Sequence, residues 1–342
     1  MGETAPRRVV SAGDWRREIV TSAHVPEQGQ SEAPAGHIRF LFLAGRDLFA
    51  HRAERFRFLA SSHPLGDYLA FLALLADAQQ KVLAQFPTPA LPDPDEQALC
   101  RKHGMPLLSF QSMPRNPAWR WGLNMILQYM REAALPPAAS ETVACLMLAS
   151  ETGLEEMADR ILAGDLADIT PHELPFVAAA LQVYWVHMAS SLGEGAFGRI
   201  SQGGLCPVCG SYPGSGIIRI AGSEQGLRYL SCSLCASQWH MVRLKCSSCE
   251  STNGINFYTL EGSNGAVKAE SCDNCNFYLK LLYLEKDSQM EAMADDLATL
   301  ALDMLMDKEG KKRGGPNLFF HPGEVGYIDS EIPFRSGKDA KS

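Results

Sequence analysis

The chain has no run of about 18 apolar residues, the length a helix needs to cross a bilayer, so no membrane span is expected. Its most apolar window, Phe176 to Met188, is interrupted by Gln182 and reads as a buried helix. Positive charge is not in excess. With 31 Lys and Arg against 39 Asp and Glu, the formal net charge of −8 gives no global attraction to nucleic acid or an acidic membrane. The opening MGETAPRRVVSAGDWRREIV has two Arg pairs but lacks the apolar stretch that a twin-arginine export signal carries behind them; Gly, Asp, Arg and Glu intervene. A cytoplasmic protein is expected. Also missing are a metal-binding His/Glu motif, a phosphate-cradling Gly loop and a nucleophile elbow, so no catalytic residue and no enzyme activity is expected.

What remains is an ordinary soluble composition, 46% hydrophobic and 20% charged over 342 residues, enough for two domains or one domain with appended modules. Residues 1–36 are polar and rich in Gly, Pro, Ser and Glu, and read as a mobile extension. A helical domain is expected over 37–203. Asp47 to Leu59 places Leu48, Phe49, Phe56 and Leu59 near one face. After the break SSHPLGD, Leu65, Leu69, Leu72, Leu75, Ala76, Val82 and Leu83 continue at helical spacing. Pro87 to Asp95 (PTPALPDPD) forms a connector. Further helices are expected at 117–134, 140–150, 153–163 and 171–190, the last opened by a capping box of Thr170 and Glu173 with Pro171 at the first helical position. No strand is expected before residue 204. His63 and Asp67 have the residue types of an acid–base pair, but their place in SSHPLGDYL reads as a helix break followed by a helix start.

Composition changes at Ser201–Cys206, and here the cysteines gather. Eight of the ten fall into four Cys-x-x-Cys pairs. Residues 205–244 laid over 245–284 bring all four cysteines of each block into coincidence, along with Ser211/Ser251, Gly214/Gly254, Gly222/Gly262, Ser223/Ser263, Ser231/Ser271 and Leu244/Leu284. This is an internal duplication with a period of 40 residues. Each copy reads as a Cys-x-x-Cys turn, a short strand (Ile217 to Ile220, or Phe257 to Leu260), a polar turn, a return strand into the second pair, and a last apolar strand, WHMVRL or YLKLLYL.

Two cysteine turns at one end of a small sheet bring four sulfurs around one tetrahedral ion. A unit of this size buries too little apolar surface to offset chain entropy, and a metal site supplies the difference. Thiols of a cytoplasmic protein stay reduced, which disfavours a disulfide scaffold. Thioredoxin-like chemistry needs a βαβ pattern that is absent. Because each repeat is self-contained, the expected ligand sets are Cys206, Cys209, Cys232 and Cys235 for one ion, and Cys246, Cys249, Cys272 and Cys275 for the other; an interleaved cross-brace would not need such repeats. The same four thiolates suit zinc and iron. His240 reads as a strand residue, and Cys100 and Cys145 as buried, inert thiols. Over 205–285 six basic residues balance six acidic ones, which disfavours a tandem zinc-ribbon module for nucleic acid and leaves a protein partner or an electron carrier. Ser288 and Glu291 then read as a capping box for a C-terminal helix with Met290, Met293, Leu297, Leu300, Ala301, Met304 and Leu305 on one face. The segment 286–342 ends in an irregular tail, whose Leu318-Phe319-Phe320 is expected to dock locally.

With their spacing, LCPVCGSYPGSGIIR, GLRYLSCSLCASQWHMVRLKCSSC and SCDNCNFYLK resemble the FdhE family, the formate dehydrogenase accessory proteins of bacteria; FRFLASSHPLGDYLAFLALLADAQ and the C-terminal helix do so as well. The likeness runs over about 40 to 320. It implies an α+β multidomain chain: an all-helical N-terminal domain, two tandem rubredoxin-like (zinc-ribbon-like) modules at 204–244 and 245–285, and a C-terminal helix. It also implies a cytoplasmic maturation factor that binds the catalytic subunit of a molybdenum-dependent respiratory formate dehydrogenase before its twin-arginine export. Its modules would be linked to iron, with zinc the alternative. The residues carried over are the eight cysteines alone; no motif places the partner-binding surface.

Overall fold

The computed structural model describes residues 39–220 and 225–321. The expected extension at 1–36, part of the first module's polar turn (221–224) and the tail beyond 321 lie outside the described residues.

The first part of the chain is helical: α1 (Leu48–Ala60), α2 (Gly66–Ala84), α3 (Pro94–His103), α4 (Ala118–Arg131), α5 (Pro137–Leu148), α6 (Glu151–Ala163) and α7 (Leu174–Leu192). The near-continuous apolar sequence of α7 makes it the central helix, buried on almost every side, because a helix apolar all round must be covered all round. α2, α4 and α6 pack against it. The Thr170–Glu173 box forms as expected: the Thr170 N–H donates to the Glu173 carboxylate at 3.1 Å and the Glu173 N–H to the Thr170 hydroxyl at 3.2 Å. Residues 171–173 make a turn, however, and the α-helix begins at Leu174. α3, which starts inside the expected connector, has good end signals: the Asp93 carboxylate accepts the Glu96 N–H at 2.8 Å, and Gly104 closes it in a left-handed conformation. It buries no residue, so it leaves no apolar period in the sequence.

The second part is one sheet built from β1 (Leu41–Phe42), β2 (Pro213–Ile218), β3 (Arg228–Cys232), β4 (Gln238–His240), β5 (Ile255–Tyr258), β6 (Val267–Cys272), β7 (Phe277–Tyr283) and β8 (Lys312–Arg313). Its order is β1-β4-β3-β2-β7-β6-β5, with β8 also on β7. β2-β3-β4 and β5-β6-β7 are the two three-stranded antiparallel units the repeat predicts. They are fused: β2 runs parallel to β7, with Gly216 opposite Leu281. Glycine lets the strands approach closely there, since an added Cβ would press on the Leu281 side chain and push it aside.

Three expectations are corrected. A strand does precede residue 204: β1 pairs with Gln238 and Trp239 and is anchored by the Tyr229 hydroxyl donating to the Arg39 carbonyl at 2.7 Å. Two residues are too few to show alternation in sequence. The last strand of the first unit is also shorter than WHMVRL suggests, because the buried Arg228 guanidinium takes the carbonyls of Met241, Val242 and Lys245. Finally, the C-terminal helix is two helices, α8 (Ala292–Leu297) and α9 (Leu300–Lys308), and Ser288 does not cap it. The Glu291 carboxylate itself accepts the N–H groups of Met293 and Ala294, at 3.0 and 2.9 Å. The break falls where the Lys280 ammonium takes the Asp296 carbonyl at 2.6 Å and the Thr299 hydroxyl turns back on Asp295. Past the break the buried face shifts to Leu302 and Met306, and Met304 is exposed.

Buried charges lock the parts together. Arg52 pairs with Glu291, and Arg55 with Asp295 and Asp287, tying α1 to the start of α8. Lys280 and Arg313 both face Asp296 and Asp303 beneath the second unit. Gln182, the polar interruption of the apolar α7, is the hub of the interface: it accepts from Arg52 and Gln79 and donates to the Ser233 carbonyl of the first unit at 2.7 Å. Leu318 and Phe319 dock as expected, the Phe319 carbonyl accepting from the Tyr68 hydroxyl of α2.

Candidate metal centres

Each Cys-x-x-Cys closes a tight turn because the residue after its second cysteine adopts a left-handed backbone: Gly210 (φ 80°), Ala236 (φ 55°), Glu250 (φ 60°) and Asn276 (φ 59°). In three of the turns the N–H of that residue donates to the first cysteine's carbonyl: Gly210 to Cys206 at 2.8 Å, Glu250 to Cys246 at 3.1 Å, Asn276 to Cys272 at 2.9 Å. The turn aims its N–H groups at sulfur. Leu234 and Cys235 donate to Cys232 Sγ at 3.4 and 3.3 Å, and Ser248 and Cys249 donate to Cys246 Sγ at 3.3 and 3.5 Å.

The eight sulfurs form two groups, Cys206/Cys209/Cys232/Cys235 and Cys246/Cys249/Cys272/Cys275, each with all Sγ atoms within 4.8 Å of one another. The repeat-by-repeat grouping is the observed one; the interleaved cross-brace is not. Cys206–Cys235 and Cys209–Cys232 are each 3.5 Å apart, Cys246–Cys275 3.6 Å and Cys249–Cys272 3.7 Å. Sulfurs about 2.3 Å from a tetrahedral ion stand roughly 3.8 Å from each other, so both groups fit a four-thiolate ion.

Electrostatics opposes gathering four thiolates without a cation. Burial, then hydrogen bonds with its three neighbours, pushes the Cys206 thiol well up, and burial does the same to Cys235. At Cys232 burial also opposes ionisation, but hydrogen bonds from the other three cysteines and Ser211 outweigh it and hold that thiol well down. In the second group the Cys275 contact, then burial, raises Cys246, and burial raises Cys272. A set of four adjacent thiolates therefore needs a cation at its centre, and this donor set suits one.

The surroundings hold residues that motif reading missed. The Ser211 hydroxyl lies 3.0 Å from Cys232 Sγ, and the Ser237 hydroxyl 3.2 Å from Cys235 Sγ. At the second centre Ser251 instead exchanges hydrogen bonds with Asn253, position 277 is Phe, and the Asn274 amide reaches Cys249 Sγ at 3.5 Å. The Ser211/Ser251 coincidence was the visible signal; Ser237 and Asn274 break the repeat and left none.

Other candidates fall elsewhere. His240 is a β4 residue stacked edge-on against Tyr229. The His63 ring bonds the Ala298 carbonyl at 2.9 Å, at the turn between α1 and α2. Cys100 is half-buried and Cys145 exposed, against the expectation that both are buried; Cys145 lies on the solvent side of α5. Among the described residues no helix is long and apolar enough to cross a membrane.

Comparison with known proteins agrees with this architecture. The chain matches the family models "FdhE, N-terminal" over residues 38–200, "FdhE, central domain" over 205–243 and "FdhE, C-terminal domain" over 244–320. It is 43% identical over 292 residues to a Protein FdhE homolog of Enterobacter sp. (strain 638), covering 83% of this chain and 91% of that one. It is 42% identical over the same length to Protein FdhE of Salmonella enteritidis PT4. The crystal structure of the FdhE protein from Pseudomonas aeruginosa superposes with a TM-score of 0.77 at 41% identity, over 83% of this chain and all of that one. With all three family regions matched in order, and relatives this similar along most of their length, the chain belongs to the FdhE family.

Proposed function

We propose that this protein is a formate dehydrogenase accessory factor that binds the catalytic subunit of a molybdenum-dependent respiratory formate dehydrogenase in the cytoplasm and supports its assembly before export. It acts by binding, without catalytic residues of its own. The observation that carries the reading is family membership across the helical part and both cysteine modules, with all eight cysteines present and gathered into two sites. The eight are the proposed ligands of two ions, iron by the family resemblance and zinc as the alternative. Bound iron would supply one-electron chemistry, and bound zinc would supply rigidity alone.

The nucleic-acid alternative loses ground. Of the six basic residues of the modules, Arg228 and Lys280 are buried in ion pairs and offer nothing to a phosphate. The test is affinity capture from cells grown under conditions that induce formate respiration. The large formate dehydrogenase subunit is the expected partner, and deletion of this protein should abolish that enzyme's activity. Its absence from the captured material, with activity untouched by the deletion, defeats the reading.

A further inference from the structure

We propose that the two tetracysteine centres differ in permanence. The first is a buried staple. The second is the exchangeable centre, which surrenders its ion to a competing ligand, a thiolate or a chelator, across the edge formed by Cys249 and Cys275. The proposal rests on the reading of both groups as metal centres and deepens it.

Because the modules are repeats, they can be compared position by position. At the first centre all four cysteines are buried and belong to the main hydrophobic core. The third residue of each turn is an apolar plug in that core, Val208 in CPVC and Leu234 in CSLC. At the second centre the same positions are Ser248 in CSSC and Asn274 in CDNC, both exposed. Cys249 beside them is exposed and Cys275 half-buried, and none of the second four joins the main core.

The covering elements differ in the same sense. The helical part clamps both turns of the first centre. Leu108 and Phe110 donate to the carbonyls of Val208 and Cys209 at 2.9 and 3.0 Å, and Gln182 donates to Ser233. The turns of the second centre are held from the surface: the Gly203 N–H and the Lys245 ammonium bond the Glu250 carboxylate at 3.1 and 2.6 Å, the Lys312 N–H bonds the Asn276 carbonyl at 2.7 Å, and the Lys311 ammonium bonds the exposed Asp273 at 2.7 Å. Cys249 stays exposed beside them, its Sγ accepting from the amide of the exposed Asn274 at 3.5 Å. A competing ligand must reach the ion, and the thiolate it displaces must have room to leave. At the second centre Cys249 is exposed and Cys275 half-buried, so that edge already lies at the surface. At the first, part of the core must open, and core opening approaches the free energy of global unfolding.

The test uses the full chain loaded with zinc. Release to the chromogenic chelator 4-(2-pyridylazo)resorcinol should occur in two phases of one ion each, separated in rate by about tenfold or more, equivalent to a barrier difference of about 1.4 kcal/mol. A parallel pulse of iodoacetamide, in which a thiolate forms an S–C bond and iodide leaves, is read by peptide mass spectrometry. Cys249 and Cys275 should be modified in step with the fast phase, and Cys206, Cys209, Cys232 and Cys235 only with the slow one. The exposed Cys145 reports the rate of an unprotected thiol. A single release phase for both ions, or first-centre cysteines modified first, overturns the inequality while leaving two metal centres in place. Protein that takes up no metal at all defeats the parent reading instead.

Discussion

Arg228 of the first module and Glu270 of the second form an ion pair with both side chains buried, and the same guanidinium holds the carbonyls of Val242 and Lys245 in the segment joining the modules. Burial pushes the Glu270 carboxyl above its ordinary range despite Arg228 and Arg243 nearby, so desolvation outweighs the attraction. Such a pair adds little net stability over an apolar one, but breaking it leaves an uncompensated buried charge. Glu270→Ala should therefore cost about 3–5 kcal/mol in urea unfolding, and a double change to Arg228→Met with Glu270→Leu should recover part of it. If Glu270→Ala unfolds at the same urea concentration as the parent, the pair does not hold the modules together.

Asp295 is held against Arg55, yet burial raises its pKa from 3.8 to about 6. The folded state thus binds this proton more tightly than the unfolded chain does. The contribution is fully present below about pH 4 and falls as pH rises to about 6, by roughly 3 kcal/mol, then stays level. Asp295→Asn should flatten that window, measured as unfolding free energy at pH 4, 5, 6 and 7. A parent and variant whose difference does not change with pH would rule the assignment out.

Gly204 stands where the first module meets the second, and an added Cβ would overlap the Ser247 carbonyl. Backbone cannot swing aside as a side chain can, so Gly204→Ala should destabilise by about 1–3 kcal/mol, and the perturbation should reach the second centre through Ser247. Hydrogen exchange across 245–250 is the readout. Unchanged protection there would mean the two modules do not press on each other at this point.

Removing metal should unfold the modules before the helices. Four-thiolate zinc contributes on the order of 10–16 kcal/mol in small peptides, and neither module has a large core of its own. Cys232→Ser should lower the bound metal from two ions to one and damage the first module, and Cys272→Ser should do the same to the second. Because Cys232 sits in the main core, its replacement should cost more thermal stability than that of Cys272. Loss of both ions from either single change would contradict separate centres.

The eight cysteines and their grouping were legible in sequence because a duplication with four coincident cysteine positions constrains each unit locally: each Cys-x-x-Cys turn closes within five residues. The same holds for α2 and α4, whose apolar periods reflect burial of one face, and for α7, whose near-continuous apolar run reflects burial all round. Even the inequality of the two centres has a local trace, Val208 and Leu234 against Ser248 and Asn274, although only the core that receives them gives it meaning. Elsewhere the deciding partner lies far along the chain. β1 exists because Trp239 pairs with Leu41, α8 ends where Lys280 takes a carbonyl from Asp296, and Gln182 looks like a flaw in an apolar helix until Arg52, Gln79 and Ser233 surround it. The parallel seam of β2 on β7 joins residues 65 apart, Gly216 and Leu281, and no pattern within either strand announces it. Local sequence determined the cysteine turns, most of the helices and the grouping of the cysteines. Tertiary structure decided how they fuse, since desolvated charges and sheet edges are satisfied only by what folding brings to them.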